Sequence, residues 1–225
     1  MPRPTPTAST TILLLAAAAG LAVLPACNIL GPAGYLIAGP EKASALFPLP
    51  RDKPTVFFVD DRSSILPSRA VRQTIAQSAE KTLLSGKVLT ADLISSDSVL
   101  PVTTSERFER PRTIAEVGQA VGAKTIIYAT VDAFGLTPDG AAFNPGAVLR
   151  VKVIDADTQK RLFPEGSEKE WQVLQITTDT RTAALPRTVG ERTIAEQEFA
   201  KLVGLRLGQM FITHEARDAN PRIGK

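Results

Sequence analysis

The apolar run Thr55-Val56-Phe57-Phe58-Val59 stops at Asp60-Asp61. A short segment apolar on both alternating faces predicts a central strand covered on both sides. Pro67-Ser68 then opens a helix, with Ser68 placed to cap free amides. Val71, Ile75, Ala79 and Leu83 recur every four residues as one buried stripe, and Gly86 fits the stop. Val88–Ile94 reads as a second strand. Ser95–Arg112 is polar, carries Pro101 and Pro111, and reads as a loop.

Thr113 and Glu116 form a capping box for a short helix whose apolar face is Ile114, Val117 and Val121. Gly122 supplies its left-handed stop, and Lys124–Val131 follows as a β-rich run. Beyond the loop Phe134–Gly146, Leu149, Val151 and Val153 alternate with Arg150 and Lys152, the mark of a strand buried on one face. Asp155-Ala156-Asp157-Thr158 is turn chemistry, and Arg161-Leu162-Phe163 restarts the hairpin. Glu170–Thr178, with Trp171 near its start, is another strand. Thr188 and Glu191 box the start of a final helix. Phe199, Val203, Leu207 and Phe211 line one face of it, beside Leu202 and Met210. Gly204 and Gly208, four apart, predict a close approach of this helix to the sheet. Arg192, Glu196, Lys201 and Arg206 exclude a membrane span.

The pattern changes at the amino terminus. Arg3 precedes an apolar Leu/Ala-rich run, Ile12–Leu24, of about 13 residues, too short for a bilayer that needs about 20. Leu24-Pro25-Ala26-Cys27 follows and looks like a bacterial lipobox. It predicts cleavage between Ala26 and Cys27 and lipidation of Cys27, with acyl chains such as palmitate holding the protein at a membrane. Cys27 is the only cysteine, so no disulfide explains it. Asn28 is not the aspartate that retains lipoproteins at the inner membrane, which favours the outer membrane facing the periplasm. Past Ala26 the chain keeps 25 basic against 23 acidic residues, since only Arg3 is lost. That balance predicts no nucleic-acid stripe.

Residues 1–26 thus read as a signal peptide and 27–54 as a Pro/Gly-rich tether. Residues 55–216 read as one domain and 217–225 as a frayed tail. Fully extended, about 25 tether residues reach about 80 Å. The tether is not uniformly polar. Tyr35, Leu36, Leu46 and Phe47 either pack on the domain's own surface or dock on a partner.

Candidate chemistry is sparse. Asp60, Asp61 and Arg62 stand at the carboxyl end of the first strand, where α/β folds place ligands. A strand end with Arg62 partnering one carboxylate explains them as well. Asp155 and Asp157 lack the later acidic ligand of a calcium loop. His214, the single histidine, sits near the end of the last helix with no nucleophile beside it, and its place fits helix C-terminal charge pairing. No phosphate loop follows a strand, and Cys/His metal sites have no residues to build them. No cofactor, metal or catalytic residue is expected.

The segment from Thr113 to Lys124 leading into a strand resembles an element of the curli-secretion lipoprotein family. It is similar also to the penicillin-binding-protein activator lipoproteins and to the amino-terminal domain of the Tol translocation protein. Val153-Ile154-Asp155-Ala156-Asp157-Thr158 resembles the strand and turn that follow in those proteins. The element order matches over Lys53–Arg217. The resemblance implies a shared fold and an envelope location more than an activity. No long alternating hairpins are present to build a transmembrane barrel.

The fold expected is α/β (α+β): a mixed central sheet of about five strands, with a long N-terminal helix, a short middle helix and a long C-terminal helix. The leading functional expectation is a lipid-anchored envelope accessory or scaffold acting through an envelope protein partner. The alternative is a periplasmic module binding a small ligand, its mouth formed by the strand end near Asp60 and the Ser95–Arg112 loop. A concave pocket there favours the second, and a flat, filled surface favours the first.

Overall fold

The computed structural model describes residues 42–105, 112–138, 142–166, 168–178 and 185–215. The lipobox, Tyr35, Leu36 and the tail 217–225 lie outside the described residues. In chain order the elements are β1 (Lys42–Ala43), β2 (Thr55–Asp60), α1 (Arg69–Ser85), β3 (Leu93–Ile94), a 3-10 turn (Ser96–Ser98) and α2 (Val99–Ser105). Then come α3 (Ile114–Ala120), β4 (Thr125–Gly135), β5 (Gly146–Asp155), β6 (Arg161–Phe163), β7 (Gln172–Thr177), α4 (Val189–Gln209) and β8 (His214–Glu215).

The sheet is mixed. Its order is β3-β2-β4-β5, with β6 and β7 both on the far edge of β5. β2 runs parallel to β3 and β4, and the pairs involving β5 are antiparallel. β1 and β8 form a separate two-stranded ladder. β2 is buried at every position, as its uninterrupted apolar run requires.

Each face carries its own core. On one, Phe57, Ile127, Leu149 and Val151 meet Val71, Ile75, Ala79 and Leu83 of α1 and Phe199, Val203 and Leu207 of α4. On the other, Val56, Phe58, Ile126 and Tyr128 meet Val99 of α2 and Val117 of α3. The capping signals are realised. Ser68 accepts from the Val71 amide, and Thr113–Glu116 and Thr188–Glu191 both close as full boxes. Gly122 is left-handed at φ 81°.

Several expectations change. Val88–Ile94 shrinks to a two-residue strand. Part of the expected loop after it is helical: Pro101 lies in the first turn of α2, where a missing amide costs no intrahelical bond. That segment is tied to α1, because the Glu80 carboxylate accepts from the Ser96 amide at 2.5 Å, and Gln73 and Gln77 both donate to Asp97. Gly86 is right-handed at φ −73°, and the left-handed residue is Lys87 at φ 49°. A side chain at Gly86 would meet Ile212 Cγ2 at 2.5 Å, so packing rather than conformation places glycine there.

Gly204 and Gly208 face α1, not the sheet. A Cβ on Gly204 would strike the Ile75 carbonyl, and one on Gly208 would sit 2.6 Å from Thr82 Cβ and 2.8 Å from the Ala79 carbonyl. Thr74 Oγ1 donates to Gln197 Oε1 at 2.6 Å, and Ser78 Oγ donates to the Lys201 carbonyl at 2.7 Å. Residue numbers rise together along the two helices, so they run parallel and almost backbone to backbone.

The boundary at residue 54 moves back to residue 42. Phe47 and Leu49 are buried in the α1/α4 core, Phe47 ring against Phe163 at 5.3 Å. The Leu46 amide donates to the Met210 carbonyl at 2.8 Å. Lys53 Nζ meets Asp155 Oδ2 at 2.6 Å, and that bond and the Thr158 amide hold the Asp155 carboxyl down at about 2. Pro48 and Pro50 prevent regular structure here, yet the alternating apolar residues between them still find cover. His214 leaves α4 altogether and pairs with Ala43, its Nδ1 3.2 Å from the Ile212 carbonyl.

Two stability measurements follow from this packing. Phe47→Ala is expected to cost about 3–5 kcal/mol in urea unfolding, whereas Leu46→Ala changes stability by less than about 0.5 kcal/mol. Gly208→Ala is expected to lose about 1–3 kcal/mol through overpacking. Gly190→Ala, where nothing lies within 4 Å, is expected to gain a few tenths up to about 1 kcal/mol.

Candidate functional site

A cavity of about 420 Å³ opens beyond the carboxyl end of β2. Phe58, Asp60, Asp61, Arg62, Ser64 and Leu66 line it from the strand and the loop after it; Ser68, Arg69 and Arg72 line it from the start of α1, and Thr103 from α2. This is the place where the sequence puts Asp60, Asp61 and Arg62, and Thr103 comes from the segment expected at the mouth.

The two adjacent aspartates take opposite directions and different tasks, as neighbouring strand-end residues do. Asp60 is buried. Its Oδ2 accepts from Arg62 Nε at 2.8 Å and from the Tyr128 hydroxyl at 2.7 Å. Asp61 accepts the Ile65 amide on Oδ1 at 2.7 Å and the Leu66 amide on Oδ2 at 3.1 Å, closing the loop that delivers the chain to α1. Both carboxylates are therefore engaged within the protein. Burial, with the Asp60 carboxylate alongside, raises the Tyr128 hydroxyl far above the ordinary phenol range, so it stays a donor.

Tyr128 also joins the cavity to an aromatic and cationic stack on the same sheet face. Its ring lies edge-on to Phe58 at 5.1 Å and tilted to Trp171 at 5.9 Å. Lys152 Nζ stands 3.9 Å from the Trp171 ring centre, and the Arg150 guanidinium is 5.1 Å from it. Burial lowers the Lys152 ammonium below the ordinary lysine value. The alternation of Arg150 and Lys152 was visible in sequence as a solvated face. That a tryptophan lies against both was not.

Arg69 and Arg72 are the lining residues that sequence reasoning passes over. Neither makes an ion pair among the described residues, and the Nε of Arg72 is buried without a hydrogen-bond partner. A signal exists in the chain: the first turn of α1 holds Arg69 and no acidic residue, against the usual preference at that end of a helix. Of the residues expected to dock a partner, Leu46 is 60% exposed and Phe47 is 9% exposed. Phe47 is thus a core residue, and the docking set loses it. Asp155 is held by Lys53 and the Thr158 amide, which is turn chemistry.

No family model matches the chain, and no curated protein matches it. Among solved structures it is similar to a PelC dodecamer from Paraburkholderia phytofirmans, at 12% identity over 76% of this chain and 97% of that one, with a TM-score of 0.41. It is similar to lipoprotein GNA1162 from Neisseria meningitidis, at 12% identity over 65% of this chain and 93% of that one, TM-score 0.37. Protein XCC0632 from Xanthomonas campestris is 8% identical over 76% of this chain and 91% of that one, TM-score 0.41. With identities and TM-scores this low, these likenesses carry no argument about activity or partner.

The Tyr128–Asp60 bond is open to a direct measurement. Tyr128→Phe removes one donor from a buried carboxylate and is expected to cost about 1–3 kcal/mol in urea unfolding, with an unchanged dependence on denaturant.

Proposed function

We propose that this chain is a lipid-anchored protein of the bacterial envelope whose body is a binding module for a small ligand, without catalysis. The observation that carries the reading is the cavity of about 420 Å³ at the carboxyl end of β2, where Arg69 and Arg72 make no ion pair among the described residues. That volume falls in the range of small-molecule sites, and the position is where α/β sheets receive ligands. A docking scaffold built on Tyr35, Leu36, Leu46 and Phe47 has less support, because Phe47 is spent on the core.

The anchor belongs to the same proposal. Lipidation of Cys27 holds the chain at a membrane, with the outer membrane facing the periplasm as the site. The likeness in element order to the curli-secretion and penicillin-binding-protein activator lipoproteins is consistent with that address. The body is entered at Lys42, beside β8 and the end of α4, while the cavity lies at the start of the parallel helix α1. Seventeen helical residues separate the two ends of α1 by about 25 Å, so the cavity lies about that far along the helix from its end beside α4.

The test has two parts. Intact mass of the membrane-extracted protein is expected to match a chain beginning at Cys27 with acyl groups attached, and a free thiol or an intact amino terminus overturns the anchor. Thermal unfolding of the detergent-solubilised protein against a mixed set of anions, cations and neutral sugars is expected to rise by several degrees for one class. A ligand at 100 times its dissociation constant adds about 2.7 kcal/mol. No shift for any class overturns the binding module.

A further inference from the structure

We propose that the cavity beyond β2 takes a phosphomonoester group, gripped by Arg69 and Arg72. This rests on reading the cavity as a ligand site. Five charged side chains line it: Asp60, Asp61, Arg62, Arg69 and Arg72. Internal bonds account for the first three, since Arg62 and Tyr128 hold Asp60 and two loop amides hold Asp61. Two guanidinium groups remain, and neither has an ion-pair partner among the described residues.

Arg72 is the stronger observation of the two. Its Nε is withdrawn from water and bonded to nothing, a condition proteins avoid because the lost hydration of a charged group is not replaced. An anion in the cavity would compensate that charge by meeting the part of the Arg72 guanidinium that lines it. The lining sums to one net positive charge, three arginines against two aspartates, so it calls for an anion. The number of donors sets the class: two guanidinium groups can meet the three terminal oxygens of a phosphomonoester, one more than a carboxylate offers. Guanidinium forks also suit the paired oxygens of phosphate. Ser68 adds a hydroxyl at the rim whose oxygen accepts from the Val71 amide, leaving its proton to donate. Phe58 and Leu66 give the cavity an apolar wall, so the organic part of the ligand has its own contact surface.

The test is calorimetric titration of the detergent-solubilised full chain with glycerol 3-phosphate, inorganic phosphate and succinate. Saturable binding of glycerol 3-phosphate is expected, weakened at least tenfold by Arg72→Gln and by Arg69→Gln. Arg69 is exposed, so that variant keeps its melting temperature and remains decisive if Arg72→Gln unfolds. Vesicles of phosphatidylcholine with and without phosphatidic acid, offered to the unacylated Cys27→Ser chain, separate the sources of the phosphate. Capture by phosphatidate that Arg69→Gln abolishes assigns it to a lipid, and binding of glycerol 3-phosphate alone assigns it to a soluble molecule. Undiminished phosphate binding in both arginine variants overturns the proposal. Succinate binding as tightly as glycerol 3-phosphate overturns the phosphomonoester while leaving the cavity as a ligand site. No binding by any probe, with no thermal shift from any ligand class, overturns both.

Discussion

The arrangement of this protein depends on how closely α1 and α4 approach. Gly204 and Gly208 contribute no side chain to the contact, and the carbonyls of Ile75 and Ala79 crowd the space where their Cβ atoms would be. Contacts through small residues fix register along the axis more sharply than large interdigitating side chains, because a shift of one residue brings a Cβ against backbone. Ser78 and Thr74 add hydrogen bonds that agree with the same register. The consequence is positional. With α1 pinned lengthwise, its first turn is held over the end of β2, and Ser68, Arg69 and Arg72 share one cavity with Asp60 and Asp61.

The sheet between the two cores does a second task. Its face beneath the long helices is apolar apart from Thr55, Thr125 and Asp155 in register at one end, while the other face changes character along the strands. Near α2 and α3 it presents Val56 and Ile126; farther along it presents Tyr128, Asp60 and the Lys152–Trp171 contact. Tyr128 stands at that change, its ring in the core and its hydroxyl on Asp60. Burying the ring fixes the hydroxyl, and the hydroxyl orients the carboxylate at the cavity edge.

Much of this was legible in the sequence where the signal is local. The capping residues Ser68, Thr113 and Thr188, the four-residue stripe of α1 and the double-faced run of β2 all depend on neighbours within a turn or two. The strand-end aspartates were also placed correctly, with Arg62 on one of them. What stayed hidden depends on partners distant in the chain. Phe47 read as packing on the domain's surface or docking on a partner, and the choice stayed open because its ring partner Phe163 is far along the sequence. Gly204 looked ready for the sheet because the period of a helix does not say which neighbour it meets. α2 was concealed by a proline that its first turn tolerates. Arg69 and Arg72 drew no reading from the sequence, and only the cavity distinguishes them from solvated charges.

The β1–β8 ladder has a mechanical meaning. Among the described residues it pairs Lys42 with Glu215 and Ala43 with His214. Load applied at Lys42 meets this ladder first, then the Leu46–Met210 hydrogen bond, and only then the buried ring of Phe47. Opening the ladder frees the four residues Lys42 to Ala45, about 14 Å of extended chain. The body therefore carries a short length of slack in series with its point of entry. It can yield by that distance under tension while the sheet, the paired helices and the cavity keep their shape.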